Sequence, residues 1–311
     1  MTFIEEATAA SGAIVAADRL GVLARLERGP IDPPSLAREC AIGERGARLL
    51  LCALAGLGLV ETRADGAFCA VPELSQLWSL RIPWDRLAEA LRDDSPVVSG
   101  DSPAGAAVIY PEVVTFLGAR VTPIAELAAQ YLAAPGLRVL DAGAGAAPWS
   151  IAIAKRDRTC NVTAVDLPEV LRATGDAVAR AGLDEQFRLF GGDLFTLDWG
   201  RSSYDLAIAG NLCHLFAATV NRRLLRRLFD ALRPGGRLAI IDAVPNERLD
   251  GPRAVVLYAL GLALRTTYGQ TYPFSTYMGW LREAGYEEIE RVDLAEGGGI
   301  SLITACRPRE D

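Results

Sequence analysis

Apolar residues recur along the chain at two different spacings, and the N-terminal part shows mainly the helical one. The first helical run stops at Gly29-Pro30, and a later stretch alternates and turns at Asp65-Gly66. The pattern predicts one or two helices over residues 3–27, helices over 35–39 and 44–57, and a two-stranded ribbon over 59–71. Helix, helix and ribbon in this order are typical of a winged helix.

Beyond residue 107 short apolar strands alternate with helices, which predicts an α/β fold with a parallel sheet. The predicted strands begin at Leu137, Asn161, Phe187, Tyr204 and Arg237. The predicted helices cover residues 108–117, 122–132, 149–156, 169–181, 220–232, 252–264 and 276–284. Arg233-Pro234-Gly235-Gly236 is interpreted as a stop between helix and strand. Strands over 286–292 and 300–305 are joined by a Gly-rich turn, so the last strand should be antiparallel.

A polar, Pro/Gly-rich segment over residues 81–107 follows the ribbon and contains one short helix. It suits a linker with a surface loop. We therefore predict two domains, residues 1–107 and 108–311.

The 311-residue chain has a net charge of −7, and this acidic balance argues against a nucleic-acid partner. Residues 31–80 carry four arginines against six acidic residues, so DNA binding, the rival function for a winged helix, is disfavoured. Six cysteines without a C-x-x-C pair and one histidine predict a reducing, cytoplasmic location and no metal site. The chain has no apolar run of membrane-spanning length, so no membrane partner is expected.

Residues 137–150 (LRVLDAGAGAAPWS) join a buried strand to a helix through a tight turn. Asp141 ends the strand, Gly143 and Gly145 let the backbone approach a ligand, and Pro148 suits a first helical turn. Asp166 ends the next strand near the spacing of about 20 residues at which a carboxylate reaches a ribose. Because Pro148 replaces the third glycine of G-x-G-x-x-G, a nicotinamide cofactor is disfavoured.

After the third strand, Asp193 and Leu194 could hold an adenine between an acceptor and an apolar face. With these motifs the chain resembles class I S-adenosylmethionine-dependent small-molecule O-methyltransferases of the acetylserotonin and caffeate type. Residues 17–40 and 48–61 resemble their dimerisation domain. The resemblance implies a Rossmann-like sheet with an N-terminal winged-helix dimerisation domain, S-adenosyl-L-methionine as cofactor, a small aromatic acceptor from natural-product biosynthesis, and a homodimer.

The resemblance also implies roles for individual residues. His214, in Cys213-His214-Leu215-Phe216, falls on the general base, and Asp242 falls on the carboxylate that orients it. Their plainer alternatives are a buried core histidine and a carboxylate that caps the next turn. Tyr110 and Tyr268 are the candidate substrate contacts, and a buried packing role is the alternative for Tyr110. The expected cofactor residues are Asp141, Gly143, Gly145, Asp166, Leu167, Asp193, Leu194 and Asn211.

Three departures from the family pattern leave the acceptor atom open. Gly210 stands where plant members have a lysine, Leu215 replaces a common aspartate, and Gln270 or Thr271 falls where a second glutamate supports the base. O-methylation is the first expectation, C-methylation of an activated aromatic or keto substrate a close variant, and a relative that keeps the cofactor without transferring methyl a third.

Overall fold

The computed structural model describes residues 2–71, 74, 83–295 and 299–309. Its contacts divide the chain into two compact units, Met1–Arg81 and Ile82–Asp311. The domain boundary predicted at residue 107 falls inside the second unit. Residues 81 and 82, the first of the predicted linker, and 296–298 of the predicted Gly-rich turn lie outside the described residues.

The first unit has the order of helices and ribbon that the hydrophobic pattern predicts. Thr2 begins the first helix with a capping box to Glu5, and Asp32 accepts the Ser35 N–H at the start of the third. Leucines at helical spacing, including Leu36 and Leu51, form its buried core. The elements are α1 Phe3–Arg19, α2 Val22–Leu26, α3 Pro33–Glu39, α4 Glu44–Gly56 and the antiparallel strands β1 Val60–Thr62 and β2 Phe68–Ala70.

The second unit is built on a sheet of seven described strands with helices packed on it, so the predicted α/β fold is confirmed. The strands are β3 Arg138–Ala142, β4 Asn161–Asp166, β5 Phe187–Gly191, β6 Tyr204–Gly210, β7 Leu232–Asp242, β8 Glu287–Asp293 and β9 Ser301–Cys306. Their order is β5-β4-β3-β6-β7-β9-β8, and β9 is antiparallel to both of its neighbours, as predicted for the last strand.

The described helices of this unit follow the predicted positions closely, with one exception. They are α5 Leu87–Asp93, α6 Pro103–Leu132, α7 Pro148–Ala154, α8 Leu171–Ala181, α9 Ala218–Ala231, α10 Arg253–Leu262 and α11 Phe274–Ala284. Short 3₁₀ turns cover Trp84–Arg86, Asp184–Gln186 and Cys213–Leu215.

The exception is α6, for which two helices over 108–117 and 122–132 are predicted. The structure has one helix from Pro103 that bends by 71° between Pro111 and Val113. Proline lacks an N–H and its ring clashes with the preceding turn, and the break lies beside Pro111. Pro123, the other proline inside α6, is accommodated within the second arm. Within the described residues no single helix is long and apolar enough to cross a membrane. The two arms of α6 meet both requirements only when they are taken together across the bend.

The predicted stop at Arg233–Gly236 is also corrected by the structure. Leu232 already pairs with Tyr204, whereas the next pairing joins Arg237 to Leu206. The four residues between them form a bulge inside β7, where Gly235 has a φ of +78° and donates to Arg307 O. A turn sequence therefore interrupts the strand without ending it.

Strands β3, β4, β5, β6 and β7 are parallel, so their carboxyl ends meet at one edge of the sheet. From β3 the chain continues to β4 and β5 on one side and then crosses to β6 on the other side of β3, which makes the space above β3 and β6 a switch point. Open α/β sheets bind ligands at such points. The candidate site is built on this edge.

Candidate active site

The turn after β3 passes close to its neighbours and is held in a conformation that favours glycine. Gly143 and Gly145 have φ of +71° and +56°. A Cβ on Gly143 would lie 2.9 Å from Leu212 Cδ1, which is closer than side chains tolerate. The amides of Gly143 and Ala144 donate to Val165 O of β4 at 2.9 and 3.1 Å. The glycines thus keep the backbone open at the sheet edge.

Asp141 lies beneath this turn and is 1% exposed. Its Oδ2 accepts the Ser150 hydroxyl at 2.5 Å, whereas its Oδ1 has no hydrogen-bond partner among the described residues. Burial raises the pKa of Asp141 to about 7, partly offset by the Ser150 hydrogen bond. A buried carboxylate oxygen without a donor suits a cationic group supplied by a ligand.

Asp166 stands at the end of β4 and connects the turn to the next loop. Its Oδ2 accepts the Gly145 N–H at 2.8 Å, and its Oδ1 accepts the Leu167 N–H at 2.7 Å. Each carboxylate oxygen has a second lone pair, so both can still accept from a diol. Burial raises the pKa of Asp166, and the two backbone donors oppose that rise.

The loop after β5 places Asp193 and Leu194 at the same edge. Asp193 Oδ1 accepts the Phe195 N–H at 2.6 Å, which fixes the turn. Leu194 is partly buried and packs against the larger core cluster of this unit.

His214 and Asp242 form a buried pair at the ends of β6 and β7, where they are 3% and 0% exposed. His214 Nδ1 lies 2.6 Å from Asp242 Oδ1. The two oxygens of Asp242 also accept the backbone N–H groups of Ala243 and His214, at 2.7 and 3.1 Å. The carboxylate is therefore held as an acceptor, Nδ1 donates to it, and Nε2 carries the lone pair of the imidazole.

Tyr258 of α10 contacts the other nitrogen of the imidazole. Its hydroxyl oxygen lies 2.7 Å from His214 Nε2, and the two rings meet edge to face with centroids 5.2 Å apart. The Arg265 guanidinium lies 4.7 Å from the centre of the Tyr258 ring. Both ring nitrogens of His214 therefore have a hydrogen-bond partner, Asp242 at Nδ1 and Tyr258 at Nε2.

The loop that carries His214 is anchored by two side chains that the sequence patterns do not reveal. Asn221, fully buried in α9, donates to Cys213 O at 2.8 Å and to Phe216 O at 3.1 Å. The Tyr272 hydroxyl also donates to Phe216 O, at 2.7 Å. No motif identifies these residues, because their partners are backbone carbonyls that only the folded loop brings near.

Comparison with known proteins identifies the family. The O-methyltransferase domain profile matches residues 125–287, which is more than half of the chain. The chain belongs to the O-methyltransferase domain family. It is a methyltransferase that depends on S-adenosylmethionine.

Relatives extend the similarity over nearly the whole methyltransferase. The 3-hydroxy-5-methyl-1-naphthoate 3-O-methyltransferase of Streptomyces sahachiroi is 28% identical, over 94% of this chain and 91% of that protein. A tetracenomycin 8-O-methyltransferase of Streptomyces glaucescens is 25% identical, over 96% and 94%. Human N-acetylserotonin methyltransferase, solved with S-adenosylmethionine, shares the fold with a TM-score of 0.71 at 24% identity, over 96% and 94%.

The residues at the sheet edge fit this cofactor in three respects. The buried Asp141 oxygen lacks a donor and suits an ammonium group, the glycine turn leaves room for a backbone approach, and Asp166 keeps acceptor capacity for a ribose. Leu212, which follows Asn211 on the loop to His214, touches Gly143. The cofactor turn and the His214 loop therefore adjoin.

The structure explains one departure from the family pattern. A Cβ on Gly210 would lie 2.3 Å from Cδ1 of the buried Trp149 side chain, so no larger residue fits there. The indole excludes the lysine of plant members. The next residue, Asn211, turns the chain with a φ of +53° and donates its N–H to Ile241 O at 2.7 Å.

Among the residues that the structure describes, no glutamate hydrogen-bonds to His214 where the family has its second glutamate. Gln270 donates to the Tyr272 hydroxyl at 3.3 Å, and Tyr258 takes the position next to Nε2.

The two predicted substrate contacts differ in environment. Tyr110 is partly buried against two hydrophobic clusters, and burial raises its pKa to about 12. Tyr268 is 69% exposed, and its backbone N–H donates to Asp101 at 3.0 Å.

Proposed function

We propose that the protein methylates a hydroxyl group of a small aromatic molecule and that His214 is the general base. The observation that carries this proposal is the 2.6 Å contact between His214 Nδ1 and Asp242 Oδ1 in a buried site. The carboxylate fixes the imidazole tautomer so that Nε2, at the carboxyl ends of the parallel strands, carries the lone pair that a general base needs.

A neutral phenol has a pKa of about 10 and is a poor nucleophile at neutral pH. As the oxygen attacks, the hydroxyl loses a proton and His214 Nε2 can gain one, and Asp242 then stabilises the imidazolium that results. The cofactor supplies an electrophilic methyl group on its sulfonium. The acceptor oxygen must lie in line with that methyl. The cofactor turn after β3 adjoins the loop that carries His214, so the cofactor and the base would lie side by side.

The cofactor roles follow the chemistry of the sheet edge. Asp141 would pair with the ammonium group, and Gly143 and Gly145 would lie along the methionine part. Asp166, with the Leu167 amide beside it, would accept from the ribose diol. Asp193 and Leu194 would hold the adenine. Asn211, on the loop before His214, is the remaining proposed cofactor contact.

Aromatic acceptors are favoured by the chain's relatives. One is named for a hydroxynaphthoate and another for tetracenomycin polyketide synthesis, which supports a natural-product substrate for this protein. Tyr110 and Tyr268 are the proposed aromatic contacts. Of these, Tyr110 has the more enclosed environment.

The proposal includes a cytoplasmic homodimer. Exposed apolar side chains on α1, among them Ile4 and Val15, support a partner surface on the first unit, and six free cysteines suit a reducing compartment. Light scattering at micromolar concentration should give twice the mass of one chain. A monomer would contradict this part of the proposal.

His214→Gln tests the base. With a weakly acidic phenol we expect the turnover rate to fall by roughly 10² to 10⁴, while cofactor affinity measured by calorimetry stays nearly unchanged. The loss should shrink for acceptors whose hydroxyl is more acidic. NMR of the product distinguishes an O-methyl from a C-methyl group. If the variant keeps most of its activity on the weak acid, positioning alone drives the reaction and His214 is a packing residue.

A further inference from the structure

We propose that Tyr258 is a catalytic residue that receives the acceptor's proton while passing its own hydroxyl proton to His214. This inference rests on the proposed function, since it requires His214 to be the final base. The Tyr258 oxygen lies 2.7 Å from Nε2, the nitrogen that must take the proton. An acceptor hydroxyl that approaches Nε2 therefore meets the Tyr258 oxygen.

The direction of the hydrogen bond between Tyr258 and His214 follows from the pairing of His214 with Asp242. Asp242 accepts backbone N–H groups on both oxygens, so Nδ1 donates to it and Nε2 carries a lone pair. The Tyr258 hydroxyl must then donate to Nε2. Its oxygen keeps lone pairs that can accept from the acceptor hydroxyl, which completes a path from acceptor to Tyr258 to His214.

Each bond that breaks in this step is matched by a bond that forms. The acceptor O–H bond breaks and an O–H bond forms on Tyr258, while the original Tyr258 O–H bond breaks and an N–H bond forms at Nε2. The electron pair of the broken bond stays on the acceptor oxygen, which forms the new O–CH₃ bond as the methyl leaves its sulfur. Tyr258 is neutral before and after, and His214 carries the proton.

The surroundings of Tyr258 favour this relay over displacement of the side chain. Its ring is held edge-on to the imidazole, and the Arg265 cation lies against its face. An acceptor that displaced Tyr258 would break the hydrogen bond and disturb both ring contacts. Burial raises the pKa of Tyr258, a rise that Asp242 and Tyr110 reinforce and Arg265 opposes. The hydroxyl therefore stays protonated and able to donate, and Arg265 stabilises negative charge that develops on its oxygen during the transfer.

The single histidine of the chain gives a readout that does not depend on turnover. In the cofactor-free protein, ¹⁵N NMR should show Nδ1 protonated and Nε2 as a hydrogen-bonded acceptor. In Tyr258→Phe the Nε2 signal should move toward that of a free acceptor while Nδ1 stays protonated. An Nε2 signal that is the same in both proteins would overturn the contact on which the inference rests.

Kinetics separate relay from displacement. On a weakly acidic phenol we expect Tyr258→Phe to lower kcat by roughly 10- to 100-fold with little change in KM. The dependence of kcat on the D₂O fraction should change from curved, for two protons in flight, to linear. Tyr131→Phe, which removes the hydroxyl of a half-exposed tyrosine, is the matched control and should leave both unchanged. If Tyr258→Phe keeps or raises kcat, or lowers KM, Tyr258 only covers Nε2 and the relay is refuted.

Two further variants keep the outcomes distinct. If His214→Gln keeps its rate, the proposed function fails. If His214→Gln loses its rate and Tyr258→Phe keeps the kcat of the parent, only the relay fails. Should Tyr258→Phe not fold, 3-fluorotyrosine at position 258 preserves shape and hydroxyl while making the hydroxyl more acidic. A kcat that does not respond to that change on the weak acid would also refute the relay.

Discussion

Replacing Asp242 by asparagine tests the tautomer of His214 with almost no change in shape. Asp242 accepts three N–H groups, from Nδ1 and from the backbones of His214 and Ala243. An asparagine has only one acceptor oxygen. Nδ1 and the Ala243 N–H share Oδ1, whereas the His214 N–H bonds to Oδ2. If the asparagine oxygen takes the Oδ2 position, its amide N–H₂ faces Nδ1, and the imidazole must then carry its proton on Nε2.

The size of the effect follows from that switch. An imidazole protonated on Nε2 cannot accept a proton there, so the variant loses up to the whole contribution of general-base catalysis, roughly 10² to 10⁴ in rate. The same exchange in a Ser-His-Asp triad costs about 10⁴ for the same reason. We expect at least about 10², which corresponds to roughly 2.7 kcal/mol of transition-state stabilisation. Buried amide donors that lose a carboxylate should also lower the free energy of unfolding by about 1 to 3 kcal/mol.

The assay combines turnover of a weakly acidic phenol with ¹⁵N NMR of the single histidine. The rate should fall while the resonance of the protonated nitrogen moves from Nδ1 to Nε2. Asp65→Asn makes the same chemical change in an exposed turn of the first unit and should alter neither quantity. A variant that retains Nδ1–H and a rate within about threefold of the parent would show that Asp242 does not set the tautomer.

Two further predictions concern the cofactor turn and the loop beside it. Because burial raises the pKa of Asp141 to about 7 and an ammonium group needs its ionised form, calorimetry should show S-adenosylmethionine affinity falling as the pH drops below 7, by up to about tenfold per unit. Asp141→Asn should abolish that slope; a slope that persists would assign it to another group. Gly210→Ala should lower the free energy of unfolding by about 1 to 3 kcal/mol, because its Cβ meets Trp149 at 2.3 Å. Denaturant titration measures this, and Gly279→Ala in α11, whose Cβ meets nothing within 4 Å, should not be destabilised.

The local features of the fold could be predicted from the sequence because they depend on neighbours along the chain. Apolar residues that recur every two or every 3.6 positions locate the strands and helices. The glycines after β3 predict a turn whose backbone can approach a ligand. The parallel sheet follows from the alternation of strand and helix. The family resemblance implied that Asp242 orients His214. The two side chains meet because each stands at the carboxyl end of a parallel strand, and such ends lie at one edge of the sheet.

Only the tertiary structure decided the contacts between residues far apart in sequence. The sequence places Pro111 inside a helical pattern, but the break at that position and the bulge in β7 depend on packing and on the partner strand. Trp149 excludes a side chain at Gly210 through a contact between α7 and the end of β6. Tyr258 reaches Nε2 because α10 returns to the sheet edge after β7. Propensity and periodicity act over a few residues, whereas a hydrogen bond between residues 44 positions apart requires the chain between them to be folded.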